Sequence, residues 1–178
     1  ILRFDFVLSC FLIINGIIVG EVKINFEPMY VQDYEKYIPN IIINLQGDMP
    51  NIDPKAITNL ISYMNKGKCD IGTLASSFSS DTEIADENSV KVKVKDKLEI
   101  NQFSQATDFF RTNVKKNENL YHHVGIYAFT NKALLRYVNL KRSKLEIERK
   151  LEQLRAMENN MSLHVGYINS SPLSVDTE

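Results

Sequence analysis

Hydrophobic and polar positions fall into a regular pattern from about Pro39 onward. Asn40 to Leu45 is a short run of mostly β-branched residues, the pattern of a buried strand, and Gln46-Gly47-Asp48 ends it in a loop. Asp53 followed by Pro54 marks a helix start, N-cap and then first-turn proline. Ile57, Leu60, Ile61 and Met64 give that helix one apolar stripe before Gly67 stops it. Ile71 to Ala75 reads as a second strand. Val90, Val92 and Val94 alternate with lysines as a half-exposed strand should, and a turn at Asp96-Lys97 returns the chain through Leu98 to Phe103 as a hairpin. His123 to Thr130 is a further strand and Lys132 to Val138 a short helix. Ser143 with Glu146 forms a capping-box pattern before Ile147, Leu151 and Leu154, the apolar face of one helix, and Leu163 to Ile168 closes the series as a strand. Helices and strands that alternate around one hairpin predict an α/β layered fold with a mixed sheet, whose ligands gather beyond the carboxyl ends of strands. The pattern divides the chain at one soft boundary: an irregular, apolar segment over 1–39 and a folded domain over 40–178.

Length and composition narrow the class. A chain of 178 residues, 44% hydrophobic and 24% charged, can bury a single ordinary core and has the composition of a globular domain. A net charge of −1 provides no basic surplus for a phosphate backbone, so nucleic acid is not an expected partner. Cys10 and Cys69 make no disulfide framework, which fits a reducing cytoplasm. Val7 to Gly20 is nearly continuous apolar sequence, but it falls short of the roughly 20 residues of a membrane span. It also lacks the basic flank and small-residue cleavage site of a secretory signal. The expectation is a cytoplasmic protein without membrane attachment. Ile at position 1 in place of Met leads us to expect a start partway through a longer reading frame.

Asp48 stands directly after a buried strand, with Gly47 freeing the backbone beside it. A carboxylate there is suited to Mg²⁺ against a triphosphate, since the hard ion takes one or two carboxylates and keeps phosphate and water as its other ligands; Gly47-Asp48 equally suits a turn that caps the next helix. Asp176 also follows a predicted strand, and by itself it reads as a helix N-cap. His122 and His123 are adjacent in a strand and face opposite sides, so one of them can face a site. Tyr127 lies four residues beyond His123, on the same face, where both can hydrogen-bond one polyhydroxylated ligand or serve as ordinary sheet residues. Glu152 and Gln153 lie on the capped helix beside its apolar stripe, a solvated face by default. No Ser/His/Asp series with flanking signature, glycine-rich phosphate loop or CxxC is present.

Taken in order, Asn44-Leu45-Gln46-Gly47-Asp48-Met49-Pro50, His123-Val124-Gly125-Ile126-Tyr127, Leu151-Glu152-Gln153-Leu154-Arg155 and Val175-Asp176-Thr177 resemble the CMP-Kdo synthetases, the 3-deoxy-manno-octulosonate cytidylyltransferases. Phe103-Ser104 with Ala106 falls at the expected place between them. The resemblance implies a Rossmann-like nucleotidyltransferase fold with a mixed, mostly parallel sheet flanked by helices. It implies transfer of a cytidylyl group from CTP to an eight-carbon acidic sugar with Mg²⁺, for lipopolysaccharide assembly, by a homodimer. By motif, Asp48 and Asp176 would be the catalytic, metal-holding residues. Gln46, His123, Tyr127, Glu152 and Gln153 would bind the sugar. The chain departs from the family pattern: nothing in 1–39 resembles the basic loop that grips CTP, Gln105 stands where an Arg is usual, Asp108 and Phe109 replace Ile-Pro, Arg149 replaces a Glu, and Met49 an acid. These departures leave two alternatives, a non-enzymatic remnant of the enzyme and a module that docks on a partner through its apolar start.

Overall fold

The computed structural model describes residues 9–14, 17–23, 39–45, 51–111, 118–169 and 171–172, with backbone alone for the first two segments. Its strands are β1 (Ser9–Ile14), β2 (Ile17–Lys23), β3 (Ile41–Asn44), β4 (Ile71–Ser76), β5 (Lys91–Val94), β6 (Phe103–Phe110), β7 (Leu120–Thr130) and β8 (Leu163–Ile168). Its helices are α1 (Pro54–Met64), α2 (Asp81–Ala85), α3 (Asn131–Val138), α4 (Lys144–Arg149) and α5 (Gln153–Glu158). Among these residues no helix is long and apolar enough to cross a membrane.

The strands form one sheet in the order β2-β1-β3-β7-β4-β8-β6-β5, and β5 turns back to pair with β7. One edge of β7 is therefore shared: its start pairs with β5 and its end with β3. The sheet is mixed as expected, but it is not mostly parallel. Among the described strands only β4 and β8 run parallel and every other strand pair is antiparallel, with one isolated parallel bridge from Ile100 to Tyr167. Short returns such as those from β1 to β2 and from β5 to β6 make antiparallel neighbours, and the partners far apart in sequence, β3 with β7, β4 with β7 and β6 with β8, run in opposite directions as well. The residues before Pro39 read as irregular in sequence, yet the backbones of β1 and β2 are paired, and β1 meets β3 at Phe11 and Ile43.

Two helical layers cover the sheet. On one face Leu60 and Met64 of α1 pack with Ile43, Leu74, Val124, Ile126 and Ala128. A Cβ on Gly72 would come within 2.7 Å of Leu60 Cδ1 and 2.8 Å of Met64 Sδ, so that glycine is what lets α1 lie so close to β4. The helix begins as the sequence predicts, with Asp53 accepting the Lys55 N–H at 2.9 Å, and Gly67 follows it at φ +64. On the other face Ala133, Leu151, Leu154 and Ala156 of the α3–α5 region pack with Ile71, Ala75, Tyr127 and Val165.

Two expectations are corrected. The helix expected through 147–154 is two short helices, because Lys150 is left-handed at φ 55 and ends α4. The break takes Ile147 off the apolar face and leaves it 56% exposed, while Leu151 and Leu154 remain buried. In β5, Val92 and Val94 face inward as predicted, but Lys91 is buried as well, its Nζ donating to the carbonyls of Asp86 and Arg111.

Candidate functional site

Because β3 and β4 are both antiparallel to β7, and β8 is parallel to β4, the carboxyl ends of β3, β4 and β8 share one edge of the sheet. β3 and β8 are separated by β7 and β4, three spacings of about 4.8 Å, or about 14 Å. Gln46 and Asp48 follow β3 and Asp176 follows β8 in sequence; all three lie outside the described residues. The residues that flank them line one cleft of about 270 Å³, with Asn51, Lys55 and Asn59 on one side and Asn169, Ser171 and Pro172 on the other. Among the described residues no cluster of three or more His, Cys, Asp or Glu could hold a metal ion.

The polar centre of the α3–α5 face is built on β7. His123 and Tyr127 share that face, as their spacing predicts, with ring centroids 5.5 Å apart. Both are 6% exposed. The ladder to β4 slips here: Thr73 pairs with Tyr127 but Leu74 pairs with Val124, so Gly125 and Ile126 are extra on β7. Thr73, fully buried, closes the slip. Its Oγ1 lies 2.7 Å from the Ile126 carbonyl, 3.2 Å from that of Val124 and 2.9 Å from His123 Nε2. A carbonyl only accepts, so the single hydroxyl proton goes there and Nε2–H of His123 donates to Oγ1. Burial, and then the neighbouring His122, push the imidazole down to about 3. His123 is thus neutral at physiological pH, with its lone pair on Nδ1, and Phe109 meets its ring edge-on at 5.1 Å. Burial holds the Tyr127 phenol well above its ordinary value, with Glu152 adding to the effect. Asn44, opposite Tyr127 on β3, adds a buried amide to the same face.

Glu152 and Gln153 open α5. Tilted ring contacts carry the connection to β7, Tyr127 to Phe129 at 6.4 Å and Phe129 to Tyr137 at 5.7 Å, and the Tyr137 hydroxyl donates to the Glu152 carbonyl at 3.1 Å. The helix pair is fixed by Glu146, buried, which receives Arg155 through two bonds of 2.7 and 2.5 Å and the Ser143 N–H at 3.1 Å. Burial alone would raise the Glu146 carboxyl, but these donors together hold it below its ordinary value. Among the described residues no such donors reach the Glu152 carboxyl, and burial raises it. Gln153 is buried and Glu152 half-buried, not on a solvated helix face. Four of the seven residues singled out in sequence therefore belong to one region. Neutral imidazole, protonated phenol, amide and carboxyl groups provide mixed donors and acceptors for a polyhydroxylated ligand. None of them offers an imidazole base near neutrality.

Sequence reasoning missed Thr73, which carries no motif, and the pairing of Glu146, read there only as a capping-box residue, with Arg155, read only as part of the Leu151–Arg155 motif. It also treated two departures from pattern as unrelated, whereas Arg149 Nη1 lies 2.7 Å from Asp108 Oδ1. Arg149 also donates to the Phe109 carbonyl at 3.0 Å and lies over the Phe110 ring. Each departure supplies the other's partner. Gln105 is exposed on β6.

A sequence model of the cytidylyltransferase family matches residues 29–163. The 3-deoxy-manno-octulosonate cytidylyltransferase of Bartonella tribocorum is 40% identical over 151 residues, 84% of this chain and 60% of that protein. Its counterpart from Bartonella henselae is 41% identical over 140 residues, 78% of this chain and 57% of that protein. The chain thus spans less than two thirds of the length of these relatives. A solved CMP:2-keto-3-deoxy-manno-octonic acid synthetase complexed with CTP superposes with a TM-score of 0.70 at 31% identity, over 83% of this chain and 61% of the other.

Proposed function

The chain belongs to the cytidylyltransferase family, and on that premise we propose that it acts as a 3-deoxy-manno-octulosonate cytidylyltransferase, joining CTP and the eight-carbon sugar acid to give CMP-Kdo and pyrophosphate for lipopolysaccharide biosynthesis. In that reaction the anomeric hydroxyl oxygen of the sugar attacks the α-phosphorus, the bond to the β-phosphate oxygen breaks, pyrophosphate leaves and the hydroxyl proton is released. Such transfer depends mostly on positioning and charge neutralisation.

The observation that carries this reading is the meeting of His123, Tyr127, Glu152 and Gln153 on one face of the sheet, next to the edge from which the Asp48 and Asp176 segments depart. On this reading Tyr127 and His123 Nδ1 take sugar hydroxyls, and Gln46, Glu152 and Gln153 complete the set. Asp48 and Asp176 would hold Mg²⁺, a hard cation that suits a carboxylate set at two co-directional strand ends and, when bound, offsets the triphosphate charge. A cytoplasmic homodimer is the accompanying expectation.

Two measurements test the proposal. Titration calorimetry with the sugar acid should give binding that weakens about tenfold in Tyr127→Phe, the effect of one hydrogen bond worth about 1.4 kcal/mol. Pyrophosphate release with CTP, the sugar acid and Mg²⁺ should vanish in Asp48→Ala. A folded chain that binds no sugar acid, or release undiminished in Asp48→Ala, overturns the reading.

A further inference from the structure

The transfer described above releases a proton from the sugar hydroxyl, and His123, which excludes a proton down to about 3, cannot take it. His122, one residue away, is placed differently. Its partner across the ladder is Ser76 of β4, and Ser76 is level with Ile168 of β8, so the three side chains form a row on one face of the sheet. Leu74, two residues before Ser76 and on the same face, lines the 270 Å³ cleft, and so does Ile168. His122 therefore stands on the cleft's face, level with the carboxyl end of β4, while His123 stands on the other face.

His122 Nδ1 lies 2.6 Å from Glu83 Oε1 of α2. A carboxylate only accepts, so the neutral imidazole donates Nδ1–H to Glu83 and keeps its lone pair on Nε2. The carboxylate is fixed in turn: Oε2 accepts the Ser79 N–H at 2.6 Å, and the Glu83 N–H donates to Ser80 Oγ at 3.2 Å. Phe78 lies nearly parallel to the imidazole, with centroids 6.1 Å apart. Ser171 Oγ, 3.3 Å from Nδ1, belongs to the lining of the cleft and so places the ring at its wall. Among the described residues nothing bonds to Nε2, and Ser76 Oγ across the ladder makes no hydrogen bond at all. Asp86 after α2 and Lys91 of β5 are the other charged groups that act on His122, and His123 is its titratable neighbour on β7. Burial lowers the imidazole below its ordinary 6.5 by more than Glu83 raises it. It is unprotonated at neutral pH, the state a base needs.

We infer that His122 is the general base of the transfer and that Glu83 is the positioning residue that fixes its tautomer, an inference that rests on the cytidylyltransferase reading above. The sugar, held on one face by His123 and Tyr127, meets the nucleotide at the strand ends, where His122 is the imidazole on the cleft side. The anomeric hydroxyl gives its proton to Nε2, and the oxygen's electron pair forms the bond to the α-phosphorus. The bond from that phosphorus to the bridging oxygen breaks, and pyrophosphate leaves with the electron pair. The imidazolium so formed is paired with the Glu83 carboxylate until its proton passes to water.

The test measures pyrophosphate release against pH for the full chain with CTP, the sugar acid and Mg²⁺. In His122→Gln, kcat should fall about a hundredfold while calorimetric affinity for the sugar acid stays within about twofold. The unsubstituted chain should lose kcat on the acid side of 6.5, and that limb should vanish in His122→Gln. Added imidazole should restore turnover to His122→Ala, which leaves room for it, and not to His122→Gln. Glu83→Gln should lower kcat about tenfold and move the acid limb to lower pH, since the carboxylate raises the imidazole. Undiminished kcat in both His122 variants overturns the base. So does a loss that imidazole does not restore and that leaves the acid limb in place, or one matched by an equal loss of sugar affinity. The unsubstituted chain separates this inference from the functional one. If it releases no pyrophosphate, the two fall together; if it does and His122→Gln releases as much, the base falls alone.

Discussion

Thr73→Val replaces a hydroxyl by a methyl of almost the same size at a fully buried position, and so isolates the hydrogen bonds at the β7 slip. Valine leaves two groups without their partner, the Ile126 carbonyl and His123 Nε2–H. Each buried group so stranded costs about 1–3 kcal/mol, so the substitution should cost about 3 kcal/mol in all. For a chain of this length that corresponds to a fall in Tm of roughly 6–12 °C. Thr73→Ser keeps the hydroxyl and loses one buried methyl, at about 1 kcal/mol. Urea unfolding followed by circular dichroism should therefore rank the unsubstituted chain above Ser and Ser above Val, with the slope m unchanged. Imidazole nitrogen shifts measured by NMR should give the Nε2–H tautomer for His123 in the first two proteins and lose that bias in the third. A cost below about 1 kcal/mol for Thr73→Val, or Ser more costly than Val, would refute the assignment of Thr73 as the group that closes the slip.

Three further outcomes are expected. His123 is held at about 3 in the fold against an ordinary value of 6.5, so between these limits the unfolded chain binds a proton that the folded one excludes. Stability should then fall as pH drops through that window, by up to about 1.4 kcal/mol per unit, and His123→Asn should flatten the slope of urea midpoint against pH. Arg155→Met leaves the Glu146 carboxylate buried with only Arg142 and a backbone N–H, and should cost about 3 kcal/mol, most of it recovered by adding Glu146→Gln. Burial, with Asp70 adding to it, pushes the Cys69 thiol up to about 12, so at about pH 8 iodoacetamide should leave Cys69 unlabelled until urea unfolds the chain, as read by peptide mass spectrometry.

What was legible in the sequence was local. Asp53-Pro54 and the stripe from Ile57 to Met64 specify α1 almost to the residue because cap and face lie within one window. The shared face of His123 and Tyr127 was equally readable, since alternation along a strand survives the slip beside it. The break at Lys150 was hidden, because a left-handed residue is signalled by Gly or Asn and not by Lys. Burial of Lys91 was hidden for another reason: its partners are main-chain carbonyls of Asp86 and Arg111, and backbone acceptors have no letter in the sequence. The strand directions were hidden because partners such as β3 and β7 or β6 and β8 are far apart in the chain, and nothing local to one strand says which way the other runs. Asp48, Gln46 and Asp176 lie outside the described residues, and their roles rest on motif and on the strands that lead to them.

The place of β8 has a consequence for synthesis. It is the last of the described strands in sequence, yet it lies between β4 and β6 and joins them. While the ribosome is still making residues before about 160, β4 and β6 each present a side that nothing yet occupies, and such sides recruit other chains. The sheet can close only when Leu163–Ile168 has emerged and slid into the gap. A nascent chain released early, or one cut after α5, should accumulate as aggregate even though it carries His123, Tyr127, Glu152 and Gln153 intact.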